Sequence, residues 1–198
     1  LEFGKKAKDN FKFCGMQVDQ DKEFTVKMDQ TEMIDHLEPI PIEGKRLNTD
    51  FATPAEITMM RGRLGSMLYL TGNTRPREAY GVSHLAGFVN EATVQHLKNV
   101  NNLVAEFKRT RDQGIIYPGG LSLEYMYTFH DSSFKSERES GSQMGILTFL
   151  GPKISESGDI QGVSLLRWAS KRARRVCHST LAAETLASTA GLDSQAGL

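Results

Sequence analysis

The chain has 198 residues, 24 basic and 24 acidic side chains, and 39% hydrophobic residues. These proportions suit a soluble globular protein of one or two domains and exclude a strongly basic nucleic-acid coat, while leaving room for a local basic patch. No apolar run approaches the roughly 20 residues of a membrane span. Cys14 and Cys177 have no metal-ligand spacing, which predicts free thiols in a reduced intracellular setting, cytoplasmic or nuclear. The start at Leu1 falls in mid-pattern with no leader-like segment behind it, so a fragment of a longer product is expected.

Residues 11–28 read as a hairpin. Phe11 and Phe13 alternate with lysine, Phe24, Val26 and Met28 alternate with polar residues, and residues 19–22 supply the turn. Gly15 inside the first strand predicts a bulge. A short helix over 29–37 follows, with Asp29 as its cap and Glu32 three residues on; Pro39 and Pro41 stop it. Residues 40–51 read as a polar loop. Thr53-Pro54-Ala55-Glu56 is a capping box with proline at the first helical position. Ile57, Met60, Leu64, Met67 and Leu68 then recur at helical spacing. Pro76 opens a further helix through Val89, and Thr93 caps another whose Leu97, Val100, Val104 and Phe107 share a face opposite Lys98, Asn101 and Asn102. Gly114, Pro118, Gly119 and Gly120 mark a boundary.

Beyond that boundary the period changes to two. Leu123, Tyr125, Tyr127 and Phe129 predict a strand ending at Asp131, residues 132–142 a polar turn, 144–150 a second strand and 163–168 a third. A basic run, Lys171-Arg172-Ala173-Arg174-Arg175, precedes a helix starting near Ser179, and Gly191 leaves its continuation open.

The ordered motifs resemble one family along nearly the whole chain. Phe13-Cys14-Gly15 with the strand pair after it looks like the end of the reverse-transcriptase palm in copia-type LTR retrotransposon polyproteins, and residues 28–33 look like the start of the thumb. Residues 63–70 (RLGSMLYL) and Thr74-Arg75-Pro76 are similar to that family's RxLVGSLxYLA and TRPDIA segments. His96-Leu97, Ile116-Tyr117 and residues 167–171 (RWASK) match later elements. His130-Asp131-Ser132-Ser133-Phe134 and residues 178–188 (HSTLAAETLAS) resemble the first strand end and first long helix of its ribonuclease H domain. Arg77 stands where the family usually has Asp, and Ser133 replaces a second acid, as in a divergent or decaying copy.

The resemblance implies a fold that is part α/β and part α+β. Residues 1–117 would be a hairpin with a helical thumb and connection, and residues 118–198 a truncated ribonuclease H-like mixed sheet with a helix. It also implies a parent that performs reverse transcription and cleaves the RNA strand of RNA–DNA hybrids. That cleavage uses two divalent ions about 4 Å apart, and Mg2+ calls for oxygen ligands. Asp131 and Glu184 would be the catalytic and metal-binding pair, and further acids would be needed to complete the site. Asp193, nine residues past Glu184, would face the other way on a continuous helix and is not counted. Without a paired-aspartate palm hairpin no polymerisation is expected from this stretch.

From residue type alone, Asp131 reads as a strand-end turn residue and Glu184 as a solvated helix residue; the motif order is what favours the metal role. Lys171, Arg172, Arg174 and Arg175 could hold a phosphate backbone or form a solvated charged loop; Arg75 could touch nucleic acid or cap a neighbouring element. The expected role is holding an RNA–DNA hybrid without catalysis, with the rest of the Pol polyprotein as partner and no membrane contact. The alternative is a degenerate, non-catalytic interaction domain with no nucleic-acid function.

Overall fold

In a computed structural model of the chain, residues 9–137, 141–155, 158, 162–173 and 176–196 are described. They form a mixed α+β arrangement with two antiparallel sheets.

The first sheet runs β1 (Asn10–Phe13), β2 (Met16–Gln20), β3 (Val26–Asp29), β4 (Ile115–Tyr117), in that spatial order. Gly15 does not make a bulge. Cys14 and Gly15 both sit at positive φ (48° and 75°) and reverse the chain, so that Phe13 pairs with Met16. A two-residue hairpin turn needs that backbone geometry at both central positions. The expected hairpin is therefore a three-stranded meander. Its second turn is held by Asp21, whose carboxylate accepts the Glu23 and Thr25 amides at 2.8 and 2.9 Å. β4 returns from the far side of the boundary to pair with β3, Ile115 opposite Met28.

Helix α1 (Thr31–Asp35) is shorter than expected and Gln30, not Asp29, occupies its cap position. The Asp29 carboxylate accepts from the Thr31 amide at 3.1 Å and its hydroxyl at 2.8 Å. Burial pushes the Asp29 carboxyl up, but the Thr31 bonds and nearby Lys27 outweigh it and hold it below the ordinary value. Glu32 is drawn away to Lys12.

Helix α2 (Pro54–Asn73) starts on the expected capping box, with Thr53 and Glu56 exchanging hydrogen bonds. Met60, Leu64, Met67 and Leu70 are buried, whereas Leu68 is exposed. A 3₁₀ turn, Pro76–Glu78, leads into α3 (Ala79–Ala86), and a second, Val89–Glu91, separates it from α4 (Val94–Arg109). The single helix expected over this stretch is thus broken after Ala86. Leu97, Val100, Val104 and Phe107 are all buried against α2 and α3, as the spacing predicts. Asn101 was expected on the outer face. Its amide instead brackets buried Ile40, accepting from the Ile40 N–H at 2.7 Å and donating to its carbonyl at 2.9 Å. The polar stretch before α2 is pinned in this way.

Arg75 ties the far end of α4 to α2. It is 2% exposed, bonds Glu78 at 2.8 Å and the Thr110 carbonyl at 3.1 Å, and lies over the Phe107 ring. The other Glu78 oxygen, Oε2, is buried without a partner among the described residues.

The second sheet has the order β5 (Tyr125–Glu137), β6 (Gly141–Gly151), β7 (Ser164–Arg172). Each strand is longer than expected; the predicted polar turn at 132–142 is largely ladder, with Ser133 opposite Gln143 and Glu137 opposite Gly141. Both ladders are antiparallel, where a mixed sheet was expected. Helix α5 (Thr180–Ala196) continues through Gly191 and lies across β5 and β6. Its core is small: Met144, Ala173, Cys177, Ala183 and Ala187, flanked by Phe134, Ala182 and Leu186. On the other face the sheet meets the helices. Trp168 Nε1 donates to the Thr71 carbonyl at 2.6 Å and Gln143 reaches Ser83 of α3 at 3.3 Å.

Arg75→Ala leaves the Glu78 carboxylate buried and uncompensated, and urea denaturation should show a loss of about 3–5 kcal/mol. Thr53→Ala, which removes one arm of the α2 capping box, should cost about 1 kcal/mol by the same measurement.

Candidate functional site

Side chains in a strand alternate between faces, so α5 decides what each residue of β5 can reach. A β-carbon added at Gly191 would lie 3.2 Å from His130 Cδ2 and 3.4 Å from Thr128 Cγ2. Ser188 Oγ lies 3.4 Å from His130 Nδ1. Thr128 and His130 therefore face α5. Met144, opposite Ser132, joins the same core.

Asp131 projects from the other face. It lines a recess of about 210 Å³ with Tyr80 of α3, Ser133, Gln143, Gly145 and Ser170. The register agrees, because Asp131 pairs with Gly145 and Gly145 with Ser170. Gln143 is buried here and donates to Ser170 Oγ at 2.9 Å. The resemblance did not single out Tyr80, Gln143 or Ser170. Ser170 lay inside a matched segment, and Gln143 fell just outside the strand drawn from hydrophobic alternation.

Glu184 lies half-buried on α5, one turn before Ser188, whose hydroxyl donates to the Glu184 carbonyl at 2.9 Å. Its helix covers the face opposite the Asp131 recess. The structure does not bring Asp131 and Glu184 together, and one Mg2+ held by both does not fit this arrangement. Among the described residues no group of three His, Cys, Asp or Glu is placed to hold a metal ion.

Asp193 is on the same helix, exposed, and lines a cleft of about 570 Å³ with Lys171, Arg172, Met144 and Leu186. Its side of α5 faces the end of β7, half a turn from the Glu184 side, in keeping with a continuous helix. Lys171 and Arg172 are exposed and belong to strand β7, not to a loop. Arg174 and Arg175 lie outside the described residues. Arg75 is corrected: its guanidinium is enclosed by Glu78, Thr110 and Phe107 and presents no surface to a phosphate.

No helix among the described residues is long and apolar enough to cross a membrane.

Asp131→Asn and Glu184→Gln should be energetically independent. In a double-mutant cycle by urea denaturation their effects should add to within about 0.5 kcal/mol, as for groups without shared partners. Gly191→Val should force α5 off His130 and Thr128, cost about 1–3 kcal/mol, and speed hydrogen exchange along α5.

No family model matches the chain, and no solved structure matches it. One curated protein is similar: the Retrovirus-related Pol polyprotein from transposon RE1 of Arabidopsis thaliana, 27% identical over 128 residues. The match covers 64% of this chain and 8% of that polyprotein. This likeness supports a retrotransposon Pol-related protein.

Proposed function

We propose that the chain is a piece of a copia-type retrotransposon Pol polyprotein. Residues 1–117 are the palm end, thumb and connection of a reverse transcriptase, and residues 118–198 the opening part of a ribonuclease H-like domain. The parent copies RNA into DNA and removes the RNA strand from the hybrid, in the cytoplasm or nucleus, with Mg2+ bound in the complete domain. This piece holds the RNA–DNA hybrid and leaves it uncut.

The observation that carries the reading is the succession β5-β6-β7-α5 in a chain similar to a Pol polyprotein. Three strands are followed by a helix whose small residues lie over the first of them, the order that the sequence resemblance implies for the front of a ribonuclease H-like domain. Binding rests on Lys171 and Arg172 at the exposed end of β7, with Arg174 and Arg175 next in sequence. The placement of Asp131 and Glu184 on opposite sides of the sheet supports binding without cleavage.

Fluorescence anisotropy against an RNA–DNA duplex tests this. The logarithm of the affinity should fall linearly with log salt between about 50 and 200 mM, and Lys171→Ala or Arg172→Ala should each reduce the slope by roughly one. Absence of binding at low salt would leave the interaction-domain reading, to which the zero net charge of the chain lends support. Mg2+-dependent cleavage of the hybrid, abolished by Asp131→Asn, would overturn the non-catalytic part.

A further inference from the structure

The start of α4 carries an unusual cap. In a capping box the third helical residue is ordinarily Glu or Gln, whose side chain accepts the backbone N–H of the cap residue. Here that position is His96. Its Nδ1 accepts the Thr93 N–H at 3.0 Å and sits 3.1 Å from the Thr93 hydroxyl. A backbone N–H can only donate, so Nδ1 is the unprotonated nitrogen and the ring proton is on Nε2.

The ring is held from the side as well. His96 stacks on Phe88 at 4.5 Å, Phe88 meets His84 edge-on at 5.1 Å, and His84 lies 5.6 Å from Tyr80. Thr93 is also where the segment before α2 is fastened. Gln95 N donates to the Asn48 carbonyl at 3.0 Å, Val94 N to the Asp50 carbonyl at 2.9 Å, and Ala52 N to the Ala92 carbonyl at 2.8 Å. Phe51 bridges directly to Thr93.

We propose that His96 is an acid-sensitive latch: the neutral imidazole closes the cap on Thr93, and its protonation opens the start of α4 and frees the strap 48–52. Protonation removes the lone pair that accepts the Thr93 N–H. It also puts a positive charge at a helix N-terminus, where the helix dipole disfavours it. The ionisable groups on the surrounding elements are His84 of α3, Glu91 of the 3₁₀ turn, Asp50 of the strap and Lys98 of α4 itself. Asp50 is engaged with the Leu47 N–H and Lys98 with Asn48. Burial, with the His84 charge adding to it, holds the His96 imidazole below its ordinary range. The unfolded chain therefore binds the proton first as pH falls. The stabilisation is whole above the unfolded value of about 6.5 and declines as pH drops towards the folded one.

Nitrogen-detected NMR of the intact chain from about pH 8 to 5 tests the latch. His96 should carry its proton on Nε2 at neutral pH, and protection of the Thr93 amide from exchange should fall roughly tenfold as the ring protonates. His96→Gln, a neutral acceptor at every pH, should shrink the drop in melting temperature between neutral and acidic buffer. A proton on Nδ1 at neutral pH, or Thr93 protection unchanged through the His96 titration, overturns the proposal whether or not the variant folds.

Discussion

Helix α5 can lie over β5 because the stripe it turns inward is Ala183, Ala187 and Gly191. Gly191 sits so near His130 and Thr128 that a single added carbon would press on both. The close approach sets the face of every residue on β5, since strand side chains alternate. His130 is under the helix with Ser188; Asp131, one residue on, is in the recess shared with Tyr80 and Gln143. A one-residue change of register would exchange the two sets. The functional reading of this half of the chain depends on that parity.

The helical half is organised around buried polar anchors as much as around its apolar core. Arg75 joins α2, the 3₁₀ turn and the end of α4 through Glu78, Thr110 and the face of Phe107. Asn101 and Glu56 act similarly on the segment before α2, gripping Ile40 and Arg46. Each satisfies groups that burial would otherwise penalise. Trp168 and Gln143 then fasten the second sheet to α2 and α3, so the Asp131 recess is a feature of the junction and not of the sheet alone.

The helices were the legible part. The Thr53–Glu56 box and the Leu97, Val100, Val104, Phe107 stripe are local patterns, and both formed as read. Cys14-Gly15 is ambiguous in sequence because glycine within an alternating run signals a bulge or a turn equally well, and only the pairing of Phe13 with Met16 separates them. The extensions of β5 and β6 into polar residues were hidden for a related reason. Ladder hydrogen bonds belong to the backbone and leave no trace in hydropathy.

By itself the amino-acid order determined the capped start of α2, the apolar stripe of α4, and a likeness to Pol polyproteins, because spacing and composition act over a few neighbouring residues. Leu68 and Leu70 flank the same stripe of α2, yet only Leu70 is covered; that outcome depends on which neighbour arrives. Arg75 could have met solvent or the interior, and the packing of Glu78 and Thr110 around it decided for the interior. The same holds for the two carboxylates. Asp131 and Glu184 are 53 positions apart in sequence, and whether they share a face depends on strand parity beneath a packed helix, a relation that exists only once sheet and helix have docked.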